Sequence, residues 1–331
     1  MSAQRTVVVI GLGYPTYKYE EAILQEVGAR LVLSEATEPQ DVAAAVREAD
    51  AVLNRTVPIP TSAIEGMQRC KVIARYGIGY DNIDVAACTR KGICVANVPD
   101  YCRHDVAEQA LALLLAAIRR IVKHDRLIRE GQWDICSRYK MFRIHGKTLG
   151  LLGFGQIARS LAEKARGLGL RIITHDPYVT PEKACAGGAE LVSLETLWKD
   201  SDYISIHAPA TPQTRHIVND KALAMMKPTV IIVNTSRGAL IDEAALERAL
   251  REGRIGGAAL DVFETEPLPA NSPLRTVDNL ILSDHEGWYS EESQVELQSR
   301  AAQEVARVLR GEWPQNLVNP DVKAVIGSLK P

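Results

Sequence analysis

No stretch of this 331-residue chain is long and apolar enough to span a bilayer; the leucine-rich segment 107–121 falls short and reads as a buried helix. A secretory signal is not expected either, because Met1–Arg5 leads into too short an apolar run. Cysteine is sparse. The six residues Cys70, Cys88, Cys94, Cys102, Cys136 and Cys185 form neither a Cys-x-x-Cys pair nor another ligand spacing, which leaves free thiols in a reducing compartment and no metal site. Surplus positive charge is absent: 39 Lys and Arg face 41 Asp and Glu, and the net charge of −2 argues against nucleic-acid binding as the main activity. Neither an internal repeat nor a low-complexity tract is visible. A soluble, cytoplasmic enzyme with no membrane contact is expected, long enough for two domains.

What is present is an alternation of short apolar runs and helical patterns. Val7–Ile10, Arg30–Leu33, Ala51–Leu53, Val72–Ala74 and Cys94–Ala96 read as buried parallel strands, with helices at Tyr19–Val27, Asp41–Glu48 and Ile64–Cys70 between them. After Pro99, apolar residues recur at helical spacing through His104–Arg129 (Val106, Ala110, Leu111, Leu114, Leu115, Ile118, Ile121), a candidate connector to a second α/β unit. That unit starts at Thr148 and continues through strands at Tyr203–His207, Val230–Asn234, Gly257–Asp261 and Leu280–Ser283, nearly continuous apolar runs suited to a sheet covered on both faces. Ser290–Arg310 is a long amphipathic helix stopped by Gly311, and the Pro314–Pro320 tail returns the chain to the first unit.

The second unit opens on Thr148-Leu-Gly-Leu-Leu-Gly153-Phe-Gly155-Gln156-Ile157-Ala158, a strand entering a glycine turn and then a helix. Gly153 allows the turn, Gly155 removes the side chain that would hold a pyrophosphate off the backbone, and Ala158 lets the helix lie close on the sheet. Asp176 ends the next strand, Arg171–His175, where a carboxylate can accept the ribose hydroxyls of an adenosine; its charge favours NAD over a 2′-phosphorylated cofactor. Gly11 and Gly13 mimic this motif, but Pro15 prevents a helix from starting as a phosphate cradle requires.

Three polar residues follow later strands of the same unit. Arg237 follows Val230–Asn234, Glu266 follows the strand ending at Asp261, and His285 follows Leu280–Ser283. The carboxyl ends of strands carry the ligand site in open parallel sheets. An arginine fork can grip a carboxylate and polarise the adjacent carbonyl, a histidine can supply a proton, and a carboxylate can orient and charge the histidine. Beside a nicotinamide, that set suffices for carbonyl reduction.

With these residues the chain resembles the D-2-hydroxyacid dehydrogenase family, through the glycine turn, Asn-Thr-Ser-Arg237-Gly, Asp261-Val-Phe-Glu-Thr-Glu266-Pro and the His285 loop. Arg75-Tyr-Gly77-Ile78-Gly79-Tyr-Asp-Asn-Ile-Asp84 and His285-Glu-Gly-Trp288-Tyr-Ser look most like the branch of C-terminal binding proteins and phosphoglycerate dehydrogenases. The resemblance implies two doubly wound parallel-sheet domains with a cleft between them. One is a flavodoxin-like substrate domain, residues 1–103 completed by about 289–331; the other is a Rossmann NAD-binding domain, residues 104–288. It implies reversible hydride transfer between NADH and C2 of a small 2-keto acid, in a homodimer, with Arg237 as substrate anchor, His285 as acid/base and Glu266 as its partner. By the same resemblance, backbone N–H groups around Gly77, Ile78 and Gly79, with Arg75, hold the substrate carboxylate, and Trp288 lies beside the substrate side chain. Gly153, Gly155, Gln156, Ile157 and Asp176, the His207–Thr214 segment with Ala208 and Pro209, and Thr235 and Ser236 line the cofactor, and Asp261 binds the nicotinamide carboxamide. Alternatives are an NAD-sensing corepressor-like protein or a phosphoglycerate dehydrogenase. Asp284 and Glu286, where relatives commonly have Pro and a small residue, would repel a second negative charge on the substrate and put phosphoglycerate in doubt.

Overall fold

The computed structural model describes residues 4–133 and 140–327, so Cys136 lies outside the described residues. The chain divides into two compact units, one of residues up to 101 together with those from 290 onward, the other of residues 102–289.

The first unit alternates β1 (Arg5–Ile10), α1 (Lys18–Gln25), β2 (Ala29–Ser34), α2 (Pro39–Val46), β3 (Ala51–Asn54), α3 (Thr61–Gly66), β4 (Val72–Arg75), α4 (Val85–Arg90) and β5 (Cys94–Ala96). All ladders between these strands are parallel, in the order β2-β1-β3-β4-β5. The apolar runs bury on both faces, as a covered parallel sheet requires: Val7, Val8, Val9 and Ile10 are each at most 3% exposed. α4 is too short to show a helical period in sequence and was not anticipated; Asp84 caps it by accepting from Ala87 N–H at 2.9 Å.

The second unit contains α5 (Arg103–Arg119), α6 (Ile121–Arg129), β6 (Thr148–Leu152), α7 (Gln156–Arg166), β7 (Arg171–His175), α8 (Pro181–Ala186), β8 (Glu190–Leu191), α9 (Leu194–Asp200), β9 (Tyr203–Ile206), α10 (Asp220–Met225), β10 (Ile231–Asn234), α11 (Glu243–Arg251), β11 (Gly257–Leu260) and β12 (Leu280–Leu282). Its seven strands run in the order β12-β11-β10-β9-β6-β7-β8, every ladder parallel. The order reverses between β6 and β9, so the loops after those two strands meet at the carboxyl edge of the sheet, the usual ligand position in doubly wound folds.

The single helix expected over His104–Arg129 is two. Arg120 takes the left-handed conformation (φ 50°) and its N–H caps the carbonyls of Ala116 and Ala117, so the chain changes direction there. Ile121, counted above as part of the buried stripe, is consequently 56% exposed. α5 is not a bare connector: Ala107, Ala110 and Leu114 pack with Leu149, Leu151 and Leu161 in the core of the second unit. Trp198, 2% exposed, belongs to that unit's other core.

The chain then forms α12 (Glu291–Arg310) and α13 (Val322–Ile326) in the first unit. Ser290 and Ser293 make a reciprocal capping box at the start of α12, and Gly311 ends it at φ 88°. Leu317 bridges Ala96, and Asn319 accepts from Val95 N–H at 2.8 Å, which ties the tail to β5. Burial pushes the thiols of Cys88 and Cys94 up, to about 12 and about 11, which leaves them unreactive. Among the described residues no helix is long and apolar enough to cross a membrane.

Candidate active site

The glycine turn after β6 is built as its sequence demands. Gly153 has φ 89°, and a Cβ there would lie 2.9 Å from backbone atoms of His207 and Ala208. Gly155 caps α7, and a Cβ on it would meet nothing within 4 Å, so an open cradle faces the helix N-terminus and the N–H groups of Gln156 and Ile157. Ala158 is fully buried, which lets α7 approach the sheet. Asp176 accepts from Phe154 N–H at 2.8 Å and Tyr178 N–H at 2.9 Å, so its carboxylate is fixed at the rim of the same turn. At the first glycine pair, Gly13 N–H donates to Tyr17 Oη at 3.2 Å and α1 begins only at Lys18, so that helix does not open on the glycine turn.

Opposite the turn, the His207 ring hydrogen-bonds Ser205 Oγ at 2.8 Å, and burial lowers its pKa to about 4, so the ring is neutral at physiological pH. Ser236 Oγ donates to the Ala208 carbonyl at 2.6 Å, and Thr214 Oγ1 to that of Pro209 at 2.7 Å. Thr214 thus closes its own loop. Thr235 is different: its hydroxyl is buried and has no hydrogen-bond partner among the described residues. A buried orphan hydroxyl at the end of β10 and the open cradle at Gly155 both fit a bound dinucleotide.

Asn234 was missed in sequence. It is fully buried, accepts from Ser236 N–H at 3.0 Å and donates to the Arg237 carbonyl at 2.9 Å, shaping the turn that presents Arg237. The next residue, Gly238, admits no side chain, since a Cβ would fall 1.9 Å from the Phe263 carbonyl carbon. Two loops are therefore pressed together, one carrying Arg237 and the other Glu266. Glu266 Oε1 accepts from Phe263 N–H at 2.9 Å, and Oε2 meets His285 Nδ1 at 2.7 Å. Burial pushes the Glu266 carboxyl up, but the hydrogen bond and charge of His285, the Phe263 N–H and the Arg237 charge outweigh it and hold the group below its ordinary value. The structure thus brings Glu266 and His285 into direct contact, with Arg237 near enough to act on Glu266 through its charge.

His285 sits at φ 59°, a conformation that disfavours a side chain by about 1–2 kcal/mol. Asp261 imposes it. This residue is 1% exposed; its carbonyl accepts from His285 N–H at 2.8 Å, and its carboxylate accepts from Ser283 Oγ at 2.6 Å, Glu286 N–H at 3.2 Å and Gly287 N–H at 3.0 Å. Asp261 builds the histidine loop, a role that sequence did not reveal. Asp284 and Glu286 are exposed on either side of His285, and Trp288, partly exposed, stacks edge-on against Tyr289 at 5.6 Å. Burial, then the charges of Asp284 and Asp261, raise the Glu286 pKa.

In the first unit, Arg75 folds back so that its guanidinium donates to the Tyr76 carbonyl and covers Gly77, whose φ is 137°. Gly77 N–H donates to the Arg75 carbonyl at 3.0 Å. The N–H groups of Ile78 and Gly79 donate to no acceptor among the described residues. Among those residues no cluster of His, Cys, Asp or Glu could hold a metal ion.

Comparison with known proteins agrees with this geometry. Residues 111–287 match the family model for the D-isomer specific 2-hydroxyacid dehydrogenase NAD binding domain. A D-3-phosphoglycerate dehydrogenase of Methanocaldococcus jannaschii is 42% identical over 321 residues, which are 96% of this chain but 61% of that protein. A glyoxylate reductase of Korarchaeum cryptofilum is 40% identical over 284 residues, 85% of this chain and 86% of the relative. Among solved structures, a glyoxylate reductase from Paecilomyes thermophila superposes with a TM-score of 0.86 at 31% identity, covering 96% of this chain and 98% of that one.

Proposed function

Since the chain belongs to the D-isomer specific 2-hydroxyacid dehydrogenase family, we propose that it interconverts a small 2-oxo acid and its D-2-hydroxy acid with NAD as cofactor. The observation that carries the proposal is the 2.7 Å contact between Glu266 Oε2 and His285 Nδ1, held at the carboxyl edge of the nucleotide-binding sheet. Gly153, Gly155, Gln156, Ile157, Asp176, the His207–Pro209 segment, Thr235 and Ser236 would hold the cofactor, which supplies or accepts the hydride when bound. About four acceptor sites belong to a carboxylate, so Asp261 keeps one for the carboxamide.

The residues divide the remaining work. Nδ1 of His285 faces Glu266, so Nε2 is the nitrogen that passes the proton to and from the substrate oxygen. Glu266 orients the ring and stabilises its charged form. Arg237 grips the substrate carboxylate and offsets the charge that develops on the oxygen. Ile78 and Gly79 supply carboxylate-binding N–H groups, and Trp288 selects the side chain. Asp284 and Glu286 disfavour a phosphorylated substrate, so glyoxylate, hydroxypyruvate or a similar small 2-oxo acid is preferred. A cytoplasmic homodimer completes the proposal.

The test is a panel of glyoxylate, hydroxypyruvate, phenylpyruvate and phosphohydroxypyruvate, followed by NADH absorbance. Turnover of at least one unphosphorylated member, abolished in His285→Ala, supports the reading. An enzyme inert toward all of them, or an active His285→Ala variant with unchanged pH dependence, overturns it.

A further inference from the structure

The turn that carries Glu266 is gripped from a direction the chemistry above does not use. Glu243, the first residue of α11, is half-buried, and its Oε1 accepts from Glu264 N–H at 2.6 Å. That N–H adjoins Phe263, whose own N–H donates to Glu266 Oε1 at 2.9 Å. On the other side, the backbone at Gly238 presses on Phe263 and Glu264 so closely that a Cβ would lie 2.3 Å from Glu264 N. His216 closes the far end: its ring meets Glu264 Oε1, and its N–H donates to the Ala239 carbonyl at 2.9 Å.

An acidic residue in the first turn of a helix ordinarily needs no explanation beyond the helix dipole, worth about 0.3–1 kcal/mol. Glu243 is placed differently. Its carboxylate is committed to a backbone donor 21 residues away, in the loop that aims the partner of the histidine. It holds that place against a cost: burial raises its pKa, and the charges of Glu264 and Glu266 add to the rise, while the Glu264 N–H opposes it. The charged groups facing this corner are Glu264 and Glu266, with His216 and, 4.0 Å from Glu264, Arg215. Like charges would drive Glu243 outward if nothing held it, so the hydrogen bond to Glu264 has to offset their repulsion.

We propose that Glu243 is a positioning residue for the acid/base pair: by accepting the Glu264 N–H it fixes the 263–266 turn, and through it the aim of Glu266 at His285 Nδ1. The inference rests on the function proposed above. It predicts that acceptor capacity at position 243 matters more than charge, because a neutral amide oxygen can take the same N–H.

The experiment compares Glu243→Ala, Glu243→Gln and Glu266→Gln with wild type, using the 2-oxo acid that wild type reduces best. Glu243→Ala should lower reductive kcat by about tenfold, the size of one lost charge-assisted hydrogen bond, and leave the KM for NADH within about twofold. Its alkaline limb should move to lower pH, the direction expected for Glu266→Gln. Glu243→Gln should recover wild-type kcat within about threefold and restore the limb. A Glu243→Ala enzyme with wild-type kcat and limb overturns the proposal. So does a Glu243→Gln enzyme as impaired as Glu243→Ala.

A second readout needs no turnover. With labelled histidine, the His285 Nδ1 resonance, identified by its loss in His285→Ala, should move in Glu243→Ala toward its position in Glu266→Gln, because both variants disturb the contact with Glu266 Oε2. A wild-type resonance position in Glu243→Ala defeats the positioning role even if the enzyme proves inert toward 2-oxo acids, whereas inertness alone defeats only the proposed reaction.

Discussion

Glu266 joins two opposing demands in one side chain: it is partly withdrawn from water, yet its contacts keep it charged. An anionic neighbour hydrogen-bonded to an imidazole favours the protonated ring. Glu266→Gln keeps shape and a hydrogen-bonding group but not charge, so the reductive kcat/KM profile should contract toward lower pH and the oxidative profile should extend in that direction. A movement of about one pH unit corresponds to 1.36 kcal/mol, and kcat/KM against pH in both directions measures it. Asp176 poses a simpler test. In the proposed cofactor site Asp176→Ala removes the carboxylate assigned to the ribose hydroxyls and its repulsion of a 2′-phosphate, so the NADH over NADPH preference should fall by about tenfold or more. Glu286 tests substrate charge. Glu286→Gln should raise kcat/KM for phosphohydroxypyruvate relative to hydroxypyruvate by about two- to tenfold, the reach of one partly screened charge. The gain should shrink as salt is added. An unchanged ratio would place Glu286 outside the reach of the substrate.

Elements of this molecule are ended and joined by glycines that act for different reasons. Gly311 terminates α12 at φ 88°, yet a Cβ on it would meet nothing within 4 Å. Gly311→Ala therefore carries only the left-handed backbone penalty, about 1–2 kcal/mol, and should leave kcat unchanged. Gly238 has no positive φ, but its Cβ would fall 1.9 Å from backbone that belongs to the Glu266 loop. Gly238→Ala must part the two loops, so it should lose activity out of proportion to stability. Urea midpoints paired with kcat for the two variants separate a conformational cost from a displaced site. The break between α5 and α6 belongs to the same scale. Apolar spacing continues numerically from Ile118 to Ile121, and only the turn at Arg120 takes Ile121 out of the stripe.

Across the whole chain, acid stability should depend on a histidine that the fold keeps neutral. His207 has a folded pKa of about 4 against an ordinary value near 6.5. Between those limits the unfolded chain binds the proton and the folded one does not, so stability is fully present above the unfolded value and falls as pH drops toward 4. One group of this kind contributes at most about 3 kcal/mol across the window. His207→Gln cannot titrate, so its urea midpoint should fall less between pH 7 and pH 5 than that of wild type. Equal slopes would mean that His207 takes up its proton in the folded chain.

Local pattern was sufficient for every parallel strand but the two-residue edge strand β8, for the glycine turn with Asp176 at its rim, and for the order in which Arg237, Glu266 and His285 follow successive strands. Burial periodicity, backbone sterics and the small side chain at Ala158 act over a few residues, so they are written in consecutive letters. The roles of Asn234, Asp261, Glu243 and Gly238 were not legible, nor was the engagement of Gly77 N–H. Asn234 and Gly77 act in turns too irregular to leave a periodic trace. The other three depend on partners in another loop: Asp261 with the 283–287 segment, Glu243 with Glu264, Gly238 with Phe263. Those loops meet because β10, β11 and β12 are neighbours in a parallel sheet, which brings their carboxyl ends to one edge. Which donor then finds which acceptor is decided by the close packing of that edge, a property of three loops at once and of no single stretch of sequence.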